Sequence, residues 1–229
     1  MSLCGLGFKS IGRLRSFRLG STMECLFRTQ HLRRSQQCES RAMTIPRPAS
    51  PRIAPITQPS PELEEIFAKA LVGPSGKPIN IFGTLGHHPK LLKRFNVLGG
   101  FFLNSGLLSA REREIVILRV GYQCQAVYEF GQHTVIGLRV GLTEAEVSAL
   151  ASPTNGNWSA KDQALIALAD NLCADNCVSD ATWAALQADW NEAELIELVM
   201  VAGMYRMVSG FLNTMGVQLD EGVPGWPSA

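Results

Sequence analysis

From Ser60 onward the apolar positions recur with a helical period, and each run opens on a capping signal. Ser60 is a helix N-cap and Pro61 suits the first helical position, with Leu63, Ile66, Phe67, Ala70 and Leu71 following at helical spacing. Residues 73–83 read as a loop. Pro89 opens a second helix that places Leu91, Leu92, Phe95, Leu98 and Phe102 on one side. Ser109 with Glu112, and Thr143 with Glu146, form capping boxes. The helix after the first box runs through Ile115 and Leu118; the pattern then resumes near Ala126 and stops near Gly141. Ser159 starts a helix carrying Leu165, Ile166, Leu168, Ala169 and Leu172, and Ser179 starts a short one through Trp183 and Leu186. Asn191 starts the last and longest, which ends near Val217. No run of alternating β-branched residues is long enough for a sheet. The pattern therefore predicts an all-α fold, a compact bundle of about eight helices whose short connections favour antiparallel neighbours. The final helix is apolar nearly all round, which predicts a place at the bundle centre or at a subunit interface.

The chain before Ser60 differs in kind. Residues 43–59 hold Pro46, Pro48, Pro51, Pro55 and Pro59, which exclude a helix and favour an extended leader on the surface or on a neighbouring subunit. Residues 1–42 carry eight Lys/Arg and two acids, a charge of +6, so the remaining 13 basic and 18 acidic residues leave the rest of the chain at −5. This basic tail reads as an over-extended start, as a transit-like presequence, or as an arm for nucleic acid, and the first reading is favoured. The expected organisation is tail 1–42, leader 43–59, helical domain 60–220 and C-terminal tail 221–229. With 46% apolar and 18% charged residues the composition is soluble and globular. An acidic domain offers no footprint for nucleic acid. The longest apolar stretch, residues 195–217, contains Glu197, Arg206 and Asn213, so no membrane partner is expected either. Outside the tail only Cys124, Cys173 and Cys177 remain, too few and scattered for a disulfide framework. That points to a reducing compartment: the cytoplasm, or an organellar matrix if the tail is a presequence. Cys173 and Cys177, without a nearby His, read as small core residues rather than a zinc site.

The chemistry concentrates in residues 111–141. Glu129 and His133 are four apart on an expected helix and share a face. A carboxylate there can hold the imidazole in one tautomer while the ring moves a proton. Glu114 begins the preceding helix and would face His133 if the two helices fold back on each other. By itself an i, i+4 Glu/His pair is more often a solvated surface contact. Arg206, the only basic residue in the apolar last helix, must be paired if buried; it reads either as a grip on a substrate carboxylate or Glu114, or as a structural ion pair. Tyr128 and His88 are further candidates for lining a pocket, although packing explains the first and helix capping the second.

Three segments carry a resemblance. They are "REREIVILRVGYQCQAVYEFGQHTVIGLRVG" (111–141), "NIFGTLGHHPKLL" before it and "YRMVSGFLNTMGV" after it. Together, through Arg111, Glu114, Glu129, His133, Gly141, Leu142 and Thr143, they resemble the carboxymuconolactone decarboxylase family and its alkylhydroperoxidase-D-like relatives over roughly residues 62–220. The hydroperoxidase-like branch has a Glu, then a CxxC pair, then a His four residues after the second Cys. Here those positions hold Glu114, Ala126, Glu129 and His133, and Cys124 sits two residues too early with no partner at relay spacing. The resemblance therefore implies the branch without redox cysteines. It implies a lyase-type enzyme of aromatic-compound catabolism acting on a small organic acid or lactone, with no metal or organic cofactor. It also implies catalytic His133, Glu129 and Glu114, and a homo-oligomer, trimer or hexamer. A thiol hydroperoxidase, or a non-catalytic binding or scaffold protein on the same fold, are the alternatives.

Overall fold

The computed structural model describes residues 45–69, 76–152 and 156–227. The tail 1–42 and the apolar positions Ala70 and Leu71 lie outside the described residues. The chain divides into two compact units, residues 1–46 and residues 47–229, and the second holds the described helices. Nine helices and no strand occur among the described residues. They are α1 Pro61–Phe67, α2 Asn80–Leu85, α3 Pro89–Asn104, α4 Ala110–Gln123, α5 Val127–Arg139, α6 Glu144–Leu150, α7 Ala160–Asp175, α8 Asp180–Gln187 and α9 Glu192–Met215.

Local signals account for most helix ends. Ser60, Ser109, Thr143, Ser159, Ser179 and Asn191 each accept a backbone N–H in the first turn, and the capping boxes at Ser109 and Thr143 close as expected. The exceptions are α5, whose N-cap Ala126 has no side-chain acceptor, and α2, which begins inside the segment read as a loop. No side chain caps it; instead Ile81, Phe82, Gly83, Thr84 and Leu85 are all buried. Tertiary burial therefore makes this helix, and propensity alone does not announce it.

The central helix is α4, not the last one. Every residue from Arg113 to Gly121 is buried, and α5, α7 and α9 pack around it. Three buried charged residues of α4, Arg113, Glu114 and Arg119, disguise this in the sequence, and each is paired inside. Arg119 shows how: its guanidinium donates to both oxygens of Asp170 on α7 (2.5 and 2.9 Å) and to the carbonyls of Leu150 and Ser152. α9 is long and apolar enough to cross a membrane by length and composition, yet one side of it lies in this core through Leu195, Leu198, Val201, Tyr205, Val208 and Leu212. Its other side exposes Ile196, Met200 and Met207. α3 departs from its expected stripe in the same way. Leu92 and Phe102 are buried and Phe95 half-buried, while Leu91, Val97, Leu98 and Phe101 are exposed.

The buried Glu197 on α9 tethers the segment leading into α4, accepting the N–H groups of Leu107 (2.8 Å) and Leu108 (3.3 Å). Gly106 passes so close that a Cβ there would run into that carboxylate. Gly106→Ala is expected to displace Glu197 from both amides and cost about 1–3 kcal/mol, the usual cost of an overpacked buried site. Urea unfolding of the variant checks this.

The described residues before α1 and after α9 both lie on the bundle. In the leader, Arg52 N–H donates to Met215 O (2.8 Å) and Ile56 N–H to Gly83 O (3.0 Å), so the extended segment runs over its own domain. Beyond α9 the chain packs back on the bundle. Trp226 packs on Phe130 at 5.0 Å and edge-on to Tyr122 at 6.0 Å.

Candidate active site

A tight turn joins α4 to α5 and decides which residues meet. Gln125 adopts the left-handed conformation (φ +52°), and Ala126 N–H donates to Gly121 O (2.8 Å). α5 then runs back along α4, and Glu114 comes to face His133 across nineteen residues of chain.

His133 lies between two carboxylates. Its Nδ1 is 2.6 Å from Glu114 Oε2 and its Nε2 is 3.2 Å from Glu129 Oε1. Glu114 is fully buried; its other oxygen accepts from Arg113 Nε at 3.1 Å. The Tyr205 ring meets the imidazole edge-on at 4.8 Å. The i, i+4 contact with Glu129 expected from the spacing is present, and Glu114 lies closer on the other ring nitrogen. The shorter and drier bond is to Glu114, so Glu114 fixes the ring and its tautomer while Nε2 points toward Glu129. Burial alone would lower the His133 pKa. The charge and hydrogen bond of Glu114, with Glu129 in second place, overcome that and raise it to about 10. At neutral pH His133 is an imidazolium, with Glu114 on one side and Glu129 on the other.

A cavity of about 300 Å³ opens on this cluster. His133, Glu129 and Tyr128 line it from α5, Asn96 and Gly99 from α3, and Tyr205 from α9, with Lys69 at its edge. Its walls are mostly apolar, as small-molecule sites are. The buried Oδ1 of Asn96 has no protein partner there, which leaves one acceptor in the wall for a ligand N–H or O–H. Among the described residues, no group of three or more His, Cys, Asp or Glu is arranged to hold a metal ion.

The other expected site residues fall in different places. Tyr128 lines the cavity, but its hydroxyl donates to Asp220 Oδ2 (2.5 Å) and accepts from Ile81 N–H (3.2 Å). Burial and the Asp220 carboxylate push its pKa far up, so it stays a neutral phenol. His88 caps α3, accepting from Leu91 N–H at 3.3 Å, and is not among the residues lining the cavity. Arg206 is not at the cluster. Its Nη1 donates to Leu172 O (2.7 Å) and to the side chain of Asn176, closing the C-terminal end of α7. The physical reason is rotation along α9: Tyr205 faces the cavity, and its neighbour, one residue on, points about 100° away.

Sequence reasoning missed Asp220, Gln132, Tyr205, Asn96 and Arg113. Asp220 is the hub among them: Oδ2 accepts from Tyr128 and from Gln132 Nε2 (2.6 Å), and Oδ1 accepts from Asn80 N–H (2.9 Å). It thereby pins α5 and α2 to the segment after α9. Nothing local marks it, since its partners lie 88 to 140 residues away. Asp220→Asn keeps the shape but turns one acceptor oxygen into a donor. The expected cost is about 1–3 kcal/mol, read as a lower melting temperature with early exposure of Trp226 by fluorescence.

The all-α bundle has the fold of a solved structure described as an alkylhydroperoxidase AhpD core. Residues 89–155, which hold Glu114, Glu129 and His133, match the profile of the carboxymuconolactone decarboxylase family, so the resemblance read from the sequence holds. No curated protein matches the chain. Solved structures share its fold, among them the following three. A peroxidase-related protein from Silicibacter sp. TM1040 is 14% identical with a TM-score of 0.65, covering 77% of this chain and 96% of that one. The alkylhydroperoxidase AhpD core of an uncharacterized peroxidase-related protein from Ralstonia eutropha JMP134 is 20% identical with a TM-score of 0.59, covering 69% and 83%. A cysteine-to-alanine variant of the debrominase Bmp8 in complex with 2,3,4-tribromopyrrole is 17% identical with a TM-score of 0.60, covering 76% and 94%.

Proposed function

We propose that this chain is a carboxymuconolactone decarboxylase-like enzyme that moves a proton on a small organic acid or lactone, in a decarboxylation, an isomerisation or a lactone reaction. The observation that carries this reading is the imidazolium of His133, held between two buried carboxylates and facing a small cavity. Glu114 keeps Nδ1 occupied, so Nε2–H is the proton donor. When a substrate displaces the looser Glu129 contact, Nε2 delivers its proton to a carbanion or enolate carbon, and Glu129 accepts a proton from the neighbouring position. Donor and acceptor are both side chains, so the chemistry asks for no metal or organic cofactor. Arg113 is already engaged by Glu114, and Arg206 is spent on α7. The positive charge available to a substrate carboxylate is therefore His133 itself, with Lys69 at the rim. The cavity suits a molecule of about one ring, the size of the tribromopyrrole in the debrominase structure.

The same reading includes a homo-oligomer, a trimer or hexamer in line with the family resemblance. The exposed apolar faces of α3 (Val97, Phe101) and α9 (Ile196, Met200, Met207) support it, because contiguous apolar surface marks contact sites. No nucleic-acid or membrane partner enters the proposal, and the cytoplasm remains the proposed location.

The test is a panel of small acids and lactones screened for turnover and for ligand-induced rises in melting temperature. A substrate is expected whose turnover needs His133. Peroxide turnover with no reaction on any acid or lactone would defeat the reading. Position 126 holds Ala and position 129 Glu, so the CxxC site of the hydroperoxidase-like branch is missing here.

A further inference from the structure

Two cysteines that look unrelated in the sequence come near each other in the fold. Cys124 caps the C-terminal end of α4, and Cys173 lies in the last turns of α7, the helix packed along α4. The contacts beside them bring the two helices together in register. Asp170, one turn before Cys173, accepts from Gln123 Nε2 at 2.7 Å, the residue just before Cys124. On the next turn, Arg119 reaches the same carboxylate. Arg206 from α9 closes the other side through Leu172 O. Within this frame Cys173 is buried in the core and Cys124 packs against that core, near enough for Cys124 to push the Cys173 thiol upward. Both are thiols here; Cys124 is partly exposed and Cys173 buried. The expectation that Cys124 has no partner at relay spacing holds along the chain only. α7 supplies a partner 49 residues further on.

We propose that Cys124 and Cys173 form a reversible dithiol/disulfide pair, oxidised by hydroperoxides and separate from the Glu/His cavity. The chemistry balances with two named reactants. The Cys124 thiolate attacks one oxygen of a hydroperoxide; the O–O bond breaks, an alcohol (water, for hydrogen peroxide) leaves, and Cys124 becomes a sulfenic acid. The Cys173 thiol then attacks that sulfur, the S–O bond breaks, water leaves, and the S–S bond forms. A small dithiol reverses the process by exchange. The order of events follows from exposure and surroundings. Cys124 is the accessible sulfur, whereas the neighbouring Cys124, then burial, hold Cys173 strongly in the protonated form. Cys124 is thus the attacking sulfur and Cys173 the resolving one. The third thiol of the domain, Cys177, is exposed at the end of the same helix segment and serves as an internal control.

The test uses the full chain with its native cysteines, and hydrogen peroxide as oxidant. After one equivalent, the remaining thiols are alkylated and the protein is digested with trypsin and an aspartate-directed protease, whose cut at Asp175 separates Cys173 from Cys177. A disulfide-linked peptide pair carrying Cys124 and Cys173 is expected, and dithiothreitol should remove it. In Cys173→Ala the sulfenic acid should persist on Cys124 and be trapped by dimedone. In Cys124→Ser, Cys173 should stay alkylatable after denaturation. Recovery of both residues as thiols after excess peroxide, or capture of Cys177 as the main partner of either, would overturn the proposal. The wild-type mapping decides even if a variant folds poorly. None of these readouts uses turnover of an acid or lactone, so the pair stands or falls apart from the proton-transfer reading.

Discussion

His133→Gln is expected to keep the helical bundle and its assembly state while lowering turnover by roughly 10²–10⁴-fold, the usual worth of a positioned general acid. Gln still donates a hydrogen bond toward Glu114, so the buried carboxylate keeps a partner. It has no titratable proton to deliver, so the reaction loses its donor. Glu129→Gln is expected to cost less, because it preserves the hydrogen-bonding shape beside Nε2 and removes only charge and proton acceptance. Full activity in His133→Gln, at an unchanged melting temperature, would reduce the cluster to a structural contact. The pH profile adds a second readout. A His133 pKa of about 10 keeps the imidazolium, and with it the donor, across the neutral range. Activity should therefore hold well above pH 6.5 and fall only as the pH approaches 10.

Glu114→Gln is expected to be the most damaging single change to stability. Glu114 is fully buried, and it neutralises both Arg113 and the His133 imidazolium. Removing its charge leaves the largely buried Arg113 uncompensated, for which about 3–5 kcal/mol is the customary cost. It also removes the main upward pull on His133, so desolvation takes over and the ring titrates lower, becoming neutral earlier as pH rises. The sign of the linkage follows from the raised native pKa. In the native protein the stabilisation from imidazolium formation is fully present below about pH 6.5 and drains away as pH climbs from there to about 10. Urea unfolding at pH 6 and at pH 9.5 should show that slope in the native chain and a much flatter one in Glu114→Gln. Adding Arg113→Met to Glu114→Gln should recover part of the lost stability, because it withdraws the orphaned charge. An unaltered slope in Glu114→Gln would mean that Glu129, not Glu114, sets the His133 pKa.

Both predictions rest on a triad whose members were readable in part. The pairing of Glu129 with His133 follows from helix periodicity, Glu114 from two helices folding back across a turn, and the family resemblance points to all three. What none of these supplies is the ranking. The 2.6 Å bond to Glu114 and the looser 3.2 Å contact to Glu129 depend on how far α5 slides along α4 after the Gln125 turn. Arg206 shows the opposite failure. A lone cation in an apolar helix looks like a substrate grip, but its role depends on helix rotation, and here it closes α7 instead.

By itself the sequence determined the elements. Capping residues act within one turn and amphipathic spacing within a few, so the helix starts at Ser60, Ser109, Thr143, Ser159, Ser179 and Asn191 are written where they occur. The E-x-x-x-H pairing belongs to that same range. Only the tertiary structure decided that α4 is the central helix despite its three buried charges, that α2 is a helix, that Asp220 holds the wall of the cavity, and that the ends of α4 and α7 bearing Cys124 and Cys173 lie side by side. Each depends on partners dozens of residues away, and on which face a helix turns toward its neighbours. That choice is made by the fit of whole surfaces and the pairing of buried charges, and no window of a few residues contains it.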